Sequence, residues 1–176
     1  MKLFASLNPP AQRRLFAGIV VLSVILILIF HDLDRPLQTA AAPWDIVFFE
    51  QAGGQAWALR ILESWGESGR VHAGLSLGLD YLFLISYSMA FSLACVVSIR
   101  GLLPELHLLI LLGSLLAWLS LLAGVLDALE DLALIQLLLE PEWYAWPAMT
   151  RWCALLKFWI LLTSLIWLLI AWLQSH

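Results

Sequence analysis

The sequence predicts an all-α membrane protein: a four-helix transmembrane bundle with an amphipathic interfacial helix in its first long loop. Composition is the first reason. Of 176 residues, 62% are hydrophobic and 12% are charged, against roughly 45–50% and about 25% in soluble domains. So small a globule could not bury that much apolar surface, and the same excess excludes disorder. The second reason is the spacing of apolar runs. A bilayer core of about 30 Å needs roughly 20 apolar residues in a helix, and four segments qualify, at about 15–30, 75–99, 106–126 and 153–173. The third is the lack of dyad alternation, which a membrane barrel would require. We read residues 1–176 as a single integral membrane domain.

The first span has a basic flank at Lys2, Arg13 and Arg14 and a later Ala40-Ala41-Ala42. A charged stretch separates the apolar run from these alanines and Pro43 follows them at once, so we read an uncleaved anchor. Lys2, Arg13, Arg14 and Arg100 fall on one side of the membrane, with Glu105 as the only acid there. Arg35, Arg60, Arg70, Arg151 and Lys157 fall on the other, in longer and acidic segments. This places both termini in the cytoplasm of a bacterial inner membrane. The loops 31–74 and 131–150 then face outward.

Residues 31–74 hold the amphipathic segment. Pro43 to Glu50 looks like a short helix start, broken by Gly53-Gly54. From Gln55 to Trp65, residues Trp57, Ala58, Ile61, Leu62 and Trp65 share one face. Such a helix either lies in the headgroup plane or packs on the spans as a lid, with Trp57, Ile61 and Trp65 as its interfacial anchors. Gly66 and Gly69 are expected to end it. The Gly101–Glu105 turn makes the second and third spans antiparallel neighbours. Residues 127–139 stay helix-like, so the third helix either runs on or bends near Gly124. Trp143, Trp146, Trp152 and Trp172 read as an aromatic belt, and Trp118, Trp159 and Trp167 as packing.

The informative residues are ionisable groups at membrane depth. Asp80 lies about two turns inside the second span. Asp127, Glu130 and Asp131 lie at the end of the third, and Lys157 lies one turn into the fourth. An isolated charge there costs about 2.5–3.5 kcal/mol on insertion scales, so pairing of Lys157 with Asp80 or Asp127 is expected. Gly113, Ala117, Ser120, Gly124, Asp127 and Asp131 follow steps of three and four, one small-and-polar stripe suited to close helix approach. Asp80 and Tyr87 share a face. The candidate site is therefore Asp80, Tyr87, Asp127, Glu130, Asp131 and Lys157. It reads first as an ion-pair network fixing helix register, next as a ligand or lipid site, and last as acid–base chemistry or proton movement.

A metal site is not expected. His31, Asp32, Asp34 and His72 are weak candidates without specific spacing. Cys95 and Cys153 form no zinc or iron–sulfur pattern, no histidine pair suits haem, and no cofactor is implied. The net charge of −4 gives no nucleic-acid footprint. Expected partners are membrane lipids and a larger membrane complex or a homo-oligomer.

At Asp80-Tyr81-Leu82-Phe83, with Tyr87, and at Leu126-Asp127-Ala128-Leu129-Glu130-Asp131, the chain resembles uncharacterised bacterial four-span membrane proteins. Those carry an Asp-aromatic-Leu-Phe segment and a Leu-Asp-x-x-Glu-Asn segment. Here Asp131 stands in place of the Asn. The resemblance covers roughly residues 75–160 and implies no activity. In layout alone the chain is similar to the emopamil-binding and sigma-2 receptor group, which binds sterol-like or cationic amphiphiles within a small helical bundle. The leading reading is a non-catalytic protein that binds a lipid-like molecule or serves as an accessory subunit. The rival is a membrane-embedded enzyme acting on a lipid through carboxylates.

Overall fold

Five helices succeed one another in the computed structural model, which describes residues 3, 4, 6–140 and 145–174. They are α1 (Pro9–Leu33), α2 (Asp45–Glu50), α3 (Gln55–Ile99), α4 (His107–Leu139) and α5 (Ala145–Gln174), with a 3₁₀ turn at Arg35–Leu37 after α1. Among the described residues there is no strand. Four of the helices, all but α2, are long and apolar enough to cross a membrane.

Local chemistry sets where α1 starts. Asn8 caps it, its Oδ1 accepting from Ala11 N at 2.9 Å, and Pro9-Pro10 fill the first turn, where a missing N–H costs nothing. The helix therefore starts before residue 15. Lys2 and Trp143 lie outside the described residues.

The helical conformation of Gln55–Trp65 ends at Gly66, as expected, and Gly69 plays no part in ending it. Gly66 takes φ +59 and ψ −165, a left-handed conformation open to glycine at little cost. The chain turns there and resumes helix at once. Gly69 sits within the continuing helix, close against Trp65. The part before Gly66 buries Ala58, Ile61, Leu62 and Trp65 against Leu37, Phe49, Ala73, Leu77, Leu134 and Leu137. Trp65 Nε1 donates to Leu37 O at 2.7 Å. Trp57 departs from that face. It is 43% exposed and stands at the rim, edge-on to Phe48, which in turn meets Trp44.

Helix α4 runs unbroken for 33 residues, about 50 Å at 1.5 Å per residue, so the bend at Gly124 does not occur. The small-and-polar stripe is buried along its whole length: Gly113, Ala117, Ser120, Gly124, Asp127 and Asp131 all face inward. Ser120 Oγ lies 3.4 Å from Ser164 Oγ on α5.

Helix α4 packs along both α3 and α5, and these two seams hold most of the bundle together. Helix α1 leans on α3 and does not reach α5. Its holds on α3 are a Ser23–Ser86 hydroxyl contact at 2.9 Å and an edge-on Phe30–Phe83 pair. Of the deep tryptophans, only Trp167 packs inward, donating to Leu109 O at 3.1 Å. Trp118 and Trp159 face outward and are exposed like Trp152 and Trp172, because their positions fall off the inward stripe of their helices.

Candidate functional site: a buried carboxylate cluster around Lys157

The α4 stripe brings Asp127 and Asp131 to one face, one helical turn apart, with Glu130 beside them. Helix α5 inserts Lys157 opposite. Its ammonium donates to Asp127 Oδ1 and lies 2.9 Å from Glu130 Oε2. Helix α3 adds Tyr87, whose hydroxyl donates to Asp127 Oδ2 at 2.8 Å. Of the two expected partners, Lys157 takes Asp127. Asp80 instead lies beside Asp131, with carboxylate oxygens of both within 4.8 Å of each other and of Asp127. Asp127, Glu130, Asp131 and Lys157 are all buried.

The fifth carboxyl is Glu50, which is absent from the candidates the sequence yields. Helix α2 folds back over this end of the bundle, with Ile46 and Phe49 buried. Glu50 then lines two cavities beside the cluster, close enough to interact electrostatically with Glu130 and Lys157. A carboxylate closing the otherwise apolar run Ile46–Phe49 was the available signal. Burial pushes the Glu50 carboxyl above the usual range, ahead of the opposing pull of Lys157. Lys157 thus faces five carboxyls, and among the described residues it is the one cation that pairs with any of them.

Two cavities meet at Glu50 and Asp80. The first, of about 200 Å³, is polar and lies under α2, lined by Asp34, Asp45, Glu50, Ser76, Asp80 and Asp131 together with Phe30 and Ile46. The second, of about 330 Å³, is mostly apolar. Phe83, Phe91, Phe158 and Leu161 form its walls, and Tyr87, Asp127 and Lys157 its floor. At Phe91 it joins a further apolar hollow between α1, α3 and α5, lined by Phe16, Val20, Ala90 and Leu168. That hollow leads on to Arg13 and Ser98 at the far end of the bundle. The hollows chain into a furrow along the side where α1 stands off α5.

The expected cover needs correction. Ile61 and Trp65 are buried in the core cluster under Leu37, and no residue of 55–65 lines either cavity. The element over the carboxylates is α2, because its apolar residues dock on the bundle and carry Asp45 and Glu50 with them. The histidine candidates also separate. Asp32 is exposed and pairs with Arg35 at 3.7 Å. His31 is exposed, and His72 Nδ1 contacts Ser68 O. Asp34 alone turns inward, into the polar cavity.

Asp34 sets a pH dependence. Burial pushes its carboxyl from 3.8 up to about 6, against the Ser76 hydroxyl, which favours the charged form. Between about pH 4 and 6 the folded chain keeps a proton that the unfolded chain has released. Its contribution to stability is therefore present below 4 and lost as pH rises through 6. We expect Asp34→Asn to remove a loss of about 1 kcal/mol over that window, a figure reduced for water in the cavity. Melting curves of both proteins in detergent at pH 4.5 and 7 check it. Equal pH slopes would contradict the assignment.

Comparison of the chain with protein-family models, with curated proteins and with solved structures gives no match.

Proposed function

We propose that this multi-pass membrane protein binds a lipid-like amphiphile, without chemistry of its own. The apolar chain of the ligand lies in the furrow between α1, α3 and α5. Its polar head sits at Tyr87 and Lys157, under Glu50. The observation that carries this reading is the 330 Å³ cavity, whose aromatic walls descend to a polar floor. Ligand sites have that character: concave, mainly apolar, with few converging polar groups. In an ion-pair network that only fixed register, the charges would be closed off by packing. Here Asp80 and Glu50 line open space on both sides.

The setting we propose is a bacterial inner membrane with both termini in the cytoplasm, so that the carboxylates face the outer leaflet. In support, Arg13, Arg14 and Arg100 cluster at the end of the bundle opposite α2. The Gln55–Trp65 segment, with its apolar face turned to the core and Trp57 at the rim, serves as an amphipathic brace for α2.

Leu161→Trp tests the reading, since Leu161 is a half-buried furrow wall and the indole would fill the space. In native mass spectrometry of gently solubilised protein, we expect wild type to retain an adduct of lipid mass. Leu161→Trp should lower its occupancy severalfold while the protein remains folded. A wild-type protein without an adduct, or equal occupancy in the variant, would refute the proposal.

A further inference from the structure

The polar cavity carries a second proposal that does not rest on the amphiphile. Among the described residues, one group of carboxylates has oxygens close enough to share a metal ion: those of Asp80, Asp127 and Asp131, all within 4.8 Å of one another. Calcium holds oxygen ligands at about 2.3–2.6 Å, so oxygens on opposite sides of the ion stand roughly 4.6–5.2 Å apart. The three carboxylates lie within the upper end of that range of one another.

Acidic residues often gather without a ligand, so a further observation is needed. It comes from an oxygen the fold leaves idle. Asp131 is 3% exposed, lines the polar cavity, and its Oδ2 has no hydrogen-bond partner. Buried polar atoms in native proteins nearly always have one. Asp34 Oδ1, also buried on that cavity, is likewise without a partner. Asp80 and Asp131 bring two acceptors side by side, which a cation, a shared proton or a donating water can bridge.

Asp127 can still contribute. Its two oxygens offer about four acceptor sites. Lys157 and Tyr87 occupy one on each, which leaves one on each free. The single ammonium does not balance the five carboxyls, and an added dication would reduce the excess. The cavity supplies the rest of a coordination shell: at about 200 Å³ it holds several waters at roughly 30 Å³ each. Asp80, only partly buried, stands at its inner edge and gives an ion a way in.

We propose that Asp80, Asp127 and Asp131 form a site for one oxygen-seeking divalent cation of calcium size, reached through the cavity under α2. All three are hard oxygen ligands, and no nitrogen or sulfur competes within the group, which favours calcium over zinc or copper.

The test is calorimetric titration of calcium chloride into chelator-treated protein in a nonionic detergent. Wild type should bind one calcium per chain with a rise in melting temperature. Asp131→Asn should bind at least tenfold more weakly and lose the rise. Asp80→Asn repeats the measurement at a more accessible position, so a folding defect in Asp131→Asn would not hide the result. Asp32→Asn, at an exposed ligand-free position, should bind as wild type. Leu161→Trp should also bind as wild type, which separates this site from the furrow. No saturable binding at millimolar calcium, or wild-type affinity in both Asp131→Asn and Asp80→Asn, would overturn the proposal and leave a proton or a water as the bridge between the acids.

Discussion

Lys157→Met is expected to destabilise the protein more than any other single change in the bundle. The ammonium holds Asp127 and Glu130 directly and lies near Glu50 and Asp80. Methionine keeps the length and apolar volume of the side chain, so the loss is electrostatic. Removing one partner of a buried pair costs about 3–5 kcal/mol, because the other charge is left uncompensated. Here two carboxylates lose their contact at once. We expect unfolding in mixed micelles to shift by at least that amount, with much lower accumulation in membranes. The double variant Lys157→Met/Asp127→Asn should recover a good part of the loss, since it removes a stranded charge with its former partner. A double-mutant cycle measures the coupling. Additive losses would mean that the pair is spectator chemistry on a fold held by packing alone.

Gly124→Val is expected to cost about 3 kcal/mol by a different route. Gly124 packs directly against Ser88 and Leu84 of α3. A β-carbon there would lie 2.9 Å from Ser88 Cβ and 3.3 Å from the Leu84 carbonyl oxygen. Turning the Ser88 hydroxyl away would not remove either contact, so the helices must part. In lipid no hydrophobic force draws helices together. Close packing of small residues is itself the adhesive, and overfilling such a seam typically costs about 1–3 kcal/mol. Valine, branched at Cβ, belongs at the upper end. Parting the helices would also move Asp127, less than one turn along α4, away from Tyr87. Thermal melting of Gly124→Val and Gly124→Ala should therefore rank with side-chain size. A flat series would show that the seam is slack.

How much of this is legible in the sequence differs from residue to residue. The inward placement of Asp127 and Asp131 is legible, because a helix of period 3.6 puts the Gly113-to-Asp131 series on one stripe and charges at depth have nowhere else to go. The choice Lys157 makes between Asp80 and Asp127 is not. It depends on how far α5 slides along α4, and periodicity says nothing about the offset between two helices. Glu50 is hidden because it comes from a six-residue helix in a loop, which reads as surface until Ile46 and Phe49 find the bundle. The break at Gly66 is legible, since glycine takes a positive φ at little cost, but nothing in the sequence says that helix resumes at once beyond it. Trp118 and Trp159 escape the pattern for a simpler reason. On a helix surrounded by lipid, depth along the axis does not tell which way a ring points.

The order of the charges along the chain has a consequence for synthesis. Asp80, Asp127, Glu130 and Asp131 leave the ribosome before Lys157, and no lysine or arginine of α3 or α4 lies at their level. An α3–α4 hairpin made without α5 would carry four carboxyls towards lipid with no countercharge, at a cost of several kcal/mol each when ionised. Such an intermediate must wait against water or the insertion machinery until residue 157 emerges. Final docking is thereby tied to completion of the last helix, which carries the ammonium that pairs with Asp127 and Glu130.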